Sequence, residues 1–254
     1  MRRMKIVYPF LFSILLIFSC AREVPSTLTI ATAANMQYFM EDLTYMFMED
    51  TGIDCFLNVS SSGKLNAQIQ QGAPFDVFVS ADMAYPLDLY EKGFTTAAPQ
   101  VYAYGKLVMW SNRLGIIPSP SLLNSGEIKK IAIANPKIAP YGRAAEQVLV
   151  AYGLQDSLIA ADKIVYGESI AQVNQFISSG AADLGFTAKS AVLSEQLAGQ
   201  GSWIEVDDRL YEPIAQGVVL VKREEMHPYA KAFYDFLFSD TGRSLLQAYG
   251  YLIE

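Results

Sequence analysis

The sequence predicts an α/β fold with mainly parallel sheets, and three observations carry that prediction. Short runs rich in β-branched and aromatic residues alternate with longer segments that begin at small or capping residues and stop at glycine. The 254 residues are 52% hydrophobic and 18% charged, too apolar for a disordered chain and enough for a sizeable core. Residues 102–106 and 207–216 each join strands with no long helix between them, which marks both as crossovers between lobes. A chain that passes twice would build one lobe from residues 27–105 and 216–254 and the other from 106–215. A ligand then belongs in the cleft, near the carboxyl ends of the strands.

The beginning of the chain is read apart from the fold. Arg2, Arg3 and Lys5 precede the apolar run 6–18, too short for a spanning helix of about 20 residues but suited to a secretory signal. Ser19 before Cys20 resembles the lipobox of bacterial lipoproteins. Residues 1–19 are therefore expected to be a removed signal peptide. Cys20 would become the lipidated first residue that anchors an exported protein to a membrane. A plain signal peptide cut nearby is the alternative. Removing the segment takes away three positive charges and moves the net charge from −7 to −10. So acidic a chain is no partner for nucleic acid, which needs a basic surface. Cys55 is then the internal thiol, expected in the core, and the fold has to stand without an internal disulfide.

The elements follow in order. Residues 28–33 (LTIATA) predict a strand, and 36–50, dense in Met, Tyr, Phe and Leu, a largely buried helix stopped by Gly52. A strand at 53–59, a helix at 64–71 and a strand at 75–79 (FDVFV) come next. Asp82 is the expected N-cap of a helix running to Lys92, with Gly93 behind it. A strand at 107–111 leads to a loop with Pro118 and Pro120. Strands at 131–134, 163–166 and 183–186 then alternate with helices at 143–152, 170–178 and 190–198. A strand at 217–221 (GVVLV) and helices at 228–238 and 241–249 complete the pattern. No short repeat is present, which excludes a solenoid.

Much familiar chemistry is missing. The chain has one histidine, His227, and neither zinc-ligand spacing nor a calcium loop. The segment 61–65 (SSGKL) ends like a P-loop, but Asn58 stands where the leading glycine belongs and Leu65 where Ser or Thr does. The segment 167–171 (GESIA) approaches a nucleophile elbow at Ser169, with Asp207 or Asp208 and then His227 in hydrolase order. Ala171 replaces its last glycine, and Ser169 is fully explained as the N-cap of the helix beginning at Ile170.

A repeated junction is more informative. The strand ending at Ala33 runs through Ala34-Asn35-Met36 into a helix, and the next strand through residues 60–63 (SSSG) into another. Pro140-Tyr141-Gly142 and Glu168-Ser169-Ile170 repeat the device in the second half. Free N–H groups and the helix dipole make such starts anion sites. Four of them around one cleft would surround a small oxyanion with neutral donors. Asn35 and Ser62 are the leading candidates, being flanked by small residues. Lys64 and Arg143 are read as solvated or as braces between lobes, and Asp76 and Asp82 as positioning strand and helix ends.

The residues TIATAANM (29–36), SSGKLNAQIQQGAPFDVFVSAD (61–82), NPKIAPYGRAAEQVL (135–149), GESIAQV (167–173) and DLGFTAKSAV (183–192) together resemble the periplasmic molybdate-binding proteins of ABC uptake systems. The C-terminal HPYAKAFYDFLFSDTGRSLLQAYGY (227–251) extends the resemblance over nearly all of 28–254. It implies a type II periplasmic-binding-protein fold, two α/β lobes closing on a tetrahedral dianion. It implies a receptor rather than an enzyme, with molybdate as ligand and tungstate or another tetrahedral oxyanion such as sulfate as alternatives; a secreted serine hydrolase using Ser169 is the reading of a different class. The resemblance implies no cofactor, no directly ligated metal, a monomer, and a membrane permease and its ATPase as partners. By position it implies oxyanion contacts from Asn35, Ser62, Tyr141 and the backbone amide of Ile170. At Asn35 many relatives carry serine. Where some relatives place a binding tyrosine this chain has Ala188, and Tyr141 is expected to supply the hydroxyl.

Overall fold

The computed structural model describes residues 27–253, so the signal segment and Cys20 lie outside the described residues. The chain starts with β1 (Thr27–Ala33), a 3-10 turn (Ala34–Met36), α1 (Gln37–Thr51), β2 (Asp54–Ser60), α2 (Ser62–Gln70), β3 (Val77–Val79), α3 (Ala84–Glu91) and β4 (Gln100–Gly105). It crosses at Lys106 into β5 (Leu107–Ser111), β6 (Ile131–Ala134), α4 (Pro140–Ala151), α5 (Gln155–Ala160), β7 (Ile164–Gly167), α6 (Ile170–Ser178), β8 (Leu184–Ala188), α7 (Lys189–Leu193) and β9 (Ser202–Glu205). It returns through β10 (Ile214–Leu220) and finishes with α8 (Ala230–Leu237) and α9 (Asp240–Ala248).

Two five-stranded sheets result, β2-β1-β3-β10-β4 and β7-β6-β8-β5-β9, one in each lobe. They are mixed rather than mainly parallel, which corrects the sequence expectation. In the first sheet β1 runs parallel to β2 and β3, while β10 runs antiparallel to β3 and β4. In the second, β6 is parallel to β7 and β8, while β5 is antiparallel to β8 and β9. The antiparallel pairings all involve β10 or β5, the strands that begin just after the chain changes lobe. A strand arriving without a crossover helix is free to enter in the opposite sense.

The inner parallel strands β1, β3, β6 and β8 are mainly buried, as their runs of Val, Ile, Leu and Ala require, while the edge strands β2 and β7 are partly exposed. Met36, Phe39, Met40, Leu43 and Phe47 from the 3-10 turn and α1 pack beneath the first sheet against Phe233 and Leu246 of α8 and α9. The Met and aromatic density of this helix is thus core. Gly52 closes α1 at φ 70°, a left-handed cap where a Cβ would be strained. Cys55 is half-buried against the same cluster, and burial, then Asp54, pushes its thiol up to about 11. A second cluster fills the other lobe, and Ala33, Ala34 and Ala81 of the first lobe belong to it. The apolar core therefore runs through the junction between lobes. Among the described residues, no helix is long and apolar enough to cross a membrane.

Candidate functional site

Strand ends and helix starts from both lobes meet in one small pocket. Its lining comes from Ala33 at the end of β1 with Ala34 and Asn35 behind it, Ser61 and Ser62 after β2, and Ala81 after β3. Ala139, Pro140 and Tyr141 at the start of α4, and Ser169 and Ile170 at the start of α6, complete it. Asn35, Ser62, Tyr141 and Ile170 are thus brought together, and each is at most 4% exposed. Ala188 is buried at the end of β8 and is not one of the lining residues.

The local sequence explains why this pocket is a cluster of donors. The residues preceding the helical turns are Ala33, Ser61, Ala139 and Ser169, all with extended backbone. The first three give no side-chain cap, so no capping oxygen takes their first-turn N–H groups, although the Gly63 amide is held by the Ile138 carbonyl and the Gly142 amide by the Ala139 carbonyl. Pro140 begins α4, where its lack of an N–H costs nothing and its fixed φ suits the helix. Ser169 caps α6 itself, accepting from the Gln172 amide at 3.4 Å. Small residues dominate the lining, which brings the backbone within reach of a small ligand.

Side chains complete the donor set. Ser62 Oγ accepts from the Ala81 amide at 3.0 Å, leaving its hydroxyl hydrogen to point elsewhere. Ser61 Oγ and Asn35 Oδ1 are buried with no hydrogen-bond partner. Unsatisfied polar atoms are costly in a protein interior; the Ser61 hydroxyl can donate to a ligand in the pocket, whereas Asn35 Oδ1 as it stands can only accept. Burial, followed by the neighbouring Tyr251 and Tyr211, raises the Tyr141 hydroxyl well above its ordinary range, so it keeps its proton. Behind the pocket, Asn35 Nδ2 donates to Gln216 Oε1 at 2.8 Å and to the Tyr251 hydroxyl at 3.2 Å. The Asn35 carbonyl accepts from Ser190 at 2.8 Å and from Tyr251 at 3.0 Å. Gln216, Tyr102, Tyr251 and Ser190 escaped the sequence reading because what joins them to Asn35 is contact between distant parts of the chain, even though Ser190 starts an expected helix and Ser190 and Tyr251 lie in segments that carry the resemblance.

No cationic side chain lines the pocket among the described residues. Lys64 and Arg143 instead bridge the lobes at its rim, to Glu168 and Asp82. The Arg143 guanidinium also lies 5.6 Å from the centre of the Tyr85 ring. Burial raises the Asp82 carboxyl, although Arg143 and hydrogen bonds from Tyr85, Ser80 and Arg143 oppose the rise. Asp82 does not occupy the N-cap position of α3, which is Met83, but its Oδ1 accepts from the Tyr85 amide at 3.3 Å. A backbone bond from Gly63 to the Ile138 carbonyl, 3.0 Å, ties α2 to the opposite lobe.

The hydrolase constellation is taken up by local structure. Ser169 caps α6, His227 Nδ1 accepts from the Tyr229 amide at 3.2 Å, and Asp207 pairs with Arg209. Among the described residues, no group of three or more His, Cys, Asp or Glu side chains is placed to hold a metal ion.

Comparison with known proteins places the sequence and fold among bacterial solute-binding proteins. The family model for bacterial extracellular solute-binding proteins matches residues 28–252. The molybdate-binding protein ModA of Azotobacter vinelandii is 39% identical over 94% of this chain and 94% of its own length. That of Rhodobacter capsulatus is 37% identical over 88% of this chain and 87% of its own. The solved structure of the Azotobacter vinelandii periplasmic molybdate-binding protein superposes with a TM-score of 0.85 at 36% identity, covering 89% of this chain and 99% of that one. The sulfate-binding protein SubI of Mycobacterium tuberculosis, 13% identical with a TM-score of 0.71, shares the fold. The chain belongs to the family of bacterial extracellular solute-binding proteins.

Proposed function

We propose that this protein is an extracytoplasmic receptor that captures molybdate, accepts tungstate as well, and delivers the oxyanion to a membrane permease and its ATPase. The observation that carries the reading is the convergence of four helix starts, with neutral donors, on one small pocket between lobes. The names and coverage of the relatives support molybdate as the ligand. The proposed contacts are drawn from the Asn35 side chain, the Ser62 and Tyr141 hydroxyls and the Ile170 amide. Molybdenum enters only inside the oxyanion, and no catalysis or cofactor is required. The protein works as an exported monomer, held at a membrane through lipid on Cys20.

Neutral donors suffice because hydrogen bonds to a charged group contribute about 1.5–3 kcal/mol each, so several can replace the water lost by a dianion. They also discriminate. Sulfate is smaller and leaves donors unreached, whereas tungstate is close to molybdate in size and meets them all. Titration calorimetry with molybdate, tungstate and sulfate tests this. Molybdate and tungstate should bind tightly and sulfate weakly, and molybdate at 100 times its Kd should stabilise the fold by about 2.7 kcal/mol. No molybdate heat and no thermal shift would sink the reading, and preferential sulfate binding would reassign the ligand.

A further inference from the structure

Gln216 is completely buried and does not line the pocket, yet it holds two residues that do. It lies on β10, the strand returning from the second lobe to the first, where the pairing with β4 shifts register between Gln216 and Gly217. Its Oε1 accepts from Asn35 Nδ2 at 2.8 Å and from the Tyr102 hydroxyl at 2.9 Å. Its Nε2 donates to the Tyr141 hydroxyl at 3.5 Å. Gln216 therefore links a first-lobe helix start to a second-lobe helix start.

Counting hydrogens gives this link a consequence. An amide nitrogen carries two, and those of Asn35 go to Gln216 and Tyr251. What Asn35 has left is Oδ1, an acceptor with no partner. Tyr141 receives a hydrogen from Gln216, so its own remains available to the pocket. If the Asn35 and Gln216 amides turn over together, the roles exchange. Gln216 Nε2 then donates to Asn35 Oδ1, Asn35 Nδ2 is released, and Gln216 Oε1 takes the Tyr141 hydrogen. Tyr102 and Tyr251 accommodate both arrangements: the single Tyr102 hydrogen can turn from Gln216 to the Ser80 carbonyl, 3.0 Å away, so that its oxygen accepts from Nε2, and the Tyr251 hydrogen can turn from the Asn35 carbonyl, which keeps Ser190, to Asn35 Oδ1.

We propose that Gln216 is a positioning residue that allots one hydrogen-bond donor between Asn35 and Tyr141, so that one of them, not both, offers its hydrogen to the bound oxyanion. This rests on the receptor reading above. A fully deprotonated oxyanion presents acceptors alone, so either arrangement gives it one donor, and losing one residue lets the other take over.

The test is a double-mutant cycle read by calorimetry with molybdate. Asn35→Ala and Tyr141→Phe should each weaken binding by no more than about fivefold, and the double variant by about a hundredfold, more than the product of the two. With Gln216→Met, which keeps the volume and removes both polar ends, the two losses should simply multiply. If Gln216→Met fails to fold, Tyr102→Phe loosens the same amide from outside the pocket and should shrink the excess. Multiplicative losses in the Gln216 protein, or an excess unchanged by Gln216→Met or, in its place, Tyr102→Phe, overturn the allotment while leaving the receptor reading intact. A wild-type protein that binds no oxyanion overturns both.

Discussion

Ser61 and Ser62 are adjacent hydroxyls in the same pocket, and their partners give them opposite effects on stability. Ser62 Oγ satisfies the Ala81 amide, whereas Ser61 Oγ satisfies nothing. Ser62→Ala should therefore lower the stability of the unliganded protein by about 1–3 kcal/mol, the cost of leaving a buried N–H unpaired. It should also weaken molybdate binding about tenfold to a hundredfold, the loss of one charge-assisted bond. Ser61→Ala removes a buried hydroxyl that has no partner, so the unliganded protein should gain up to about 1 kcal/mol. Thermal denaturation without ligand, paired with calorimetry, separates the two. Equal effects on stability would show that Ser61 has a partner after all. A similar contrast separates what the sequence discloses from what it hides at this scale. Asn35, Ser62, Tyr141 and Ile170 are legible because each sits at a strand-to-helix junction with its own local signature. Gln216 is not, since its bond to Asn35 joins residues 181 positions apart and nothing in its neighbours announces the contact.

At the scale of elements, α2 touches the opposite lobe through its backbone at Gly63. A Cβ on Gly63 would lie 2.7 Å from the Tyr85 hydroxyl and 2.9 Å from the Ile138 carbonyl, which belongs to the other lobe. In an isolated helix, Ala instead of Gly gains about 1 kcal/mol. Gly63→Ala should therefore leave the melting temperature of the unliganded protein unchanged or higher, yet weaken molybdate binding about tenfold by holding the lobes apart. Unchanged affinity would mean that closure does not need this contact. The sequence conveys the existence of most elements and loses those whose shape is set by distant partners. Pro140 at the first position of α4 and Gly52 behind α1 are local signals with a physical cause, although the expected helix starts at 143 and 64 fall short of Pro140 and Ser62. β4, read as a crossover, exists because β10 and an isolated bridge from Tyr104 to Leu252 pair with it. β9 (Ser202–Glu205) is a half-buried edge strand that only β5 defines. The helix expected at 190–198 stops at Leu193, where Ser194 turns extended and its Oγ donates to the Ala191 carbonyl at 2.7 Å.

For the molecule as a whole, the charge balance sets how fast a dianion can arrive. Without residues 1–19 the chain carries a net charge of −10, so its far field repels the proposed ligand. The cations nearest the pocket do not reverse this, because Lys64 is paired with Glu168 and Arg143 with Asp82, leaving the rim locally neutral. Attraction begins only within the reach of the helix starts, a field confined to about one turn. Repulsion acting over the approach and attraction acting over the last few ångströms respond differently to salt. The screening length falls from about 30 Å at 0.01 M to about 8 Å at 0.15 M, which removes much of the first and little of the second. The association rate of molybdate should therefore rise severalfold over that range, while the dissociation rate, set by hydrogen bonds inside a closed pocket, stays nearly constant. Stopped-flow fluorescence on the protein lacking residues 1–19 measures both. Affinity should improve with salt through the on-rate, the reverse of what a cation-lined mouth would give. An on-rate that falls with salt would show that a positive surface steers the ligand, and selection would then not rest on the neutral helix starts alone.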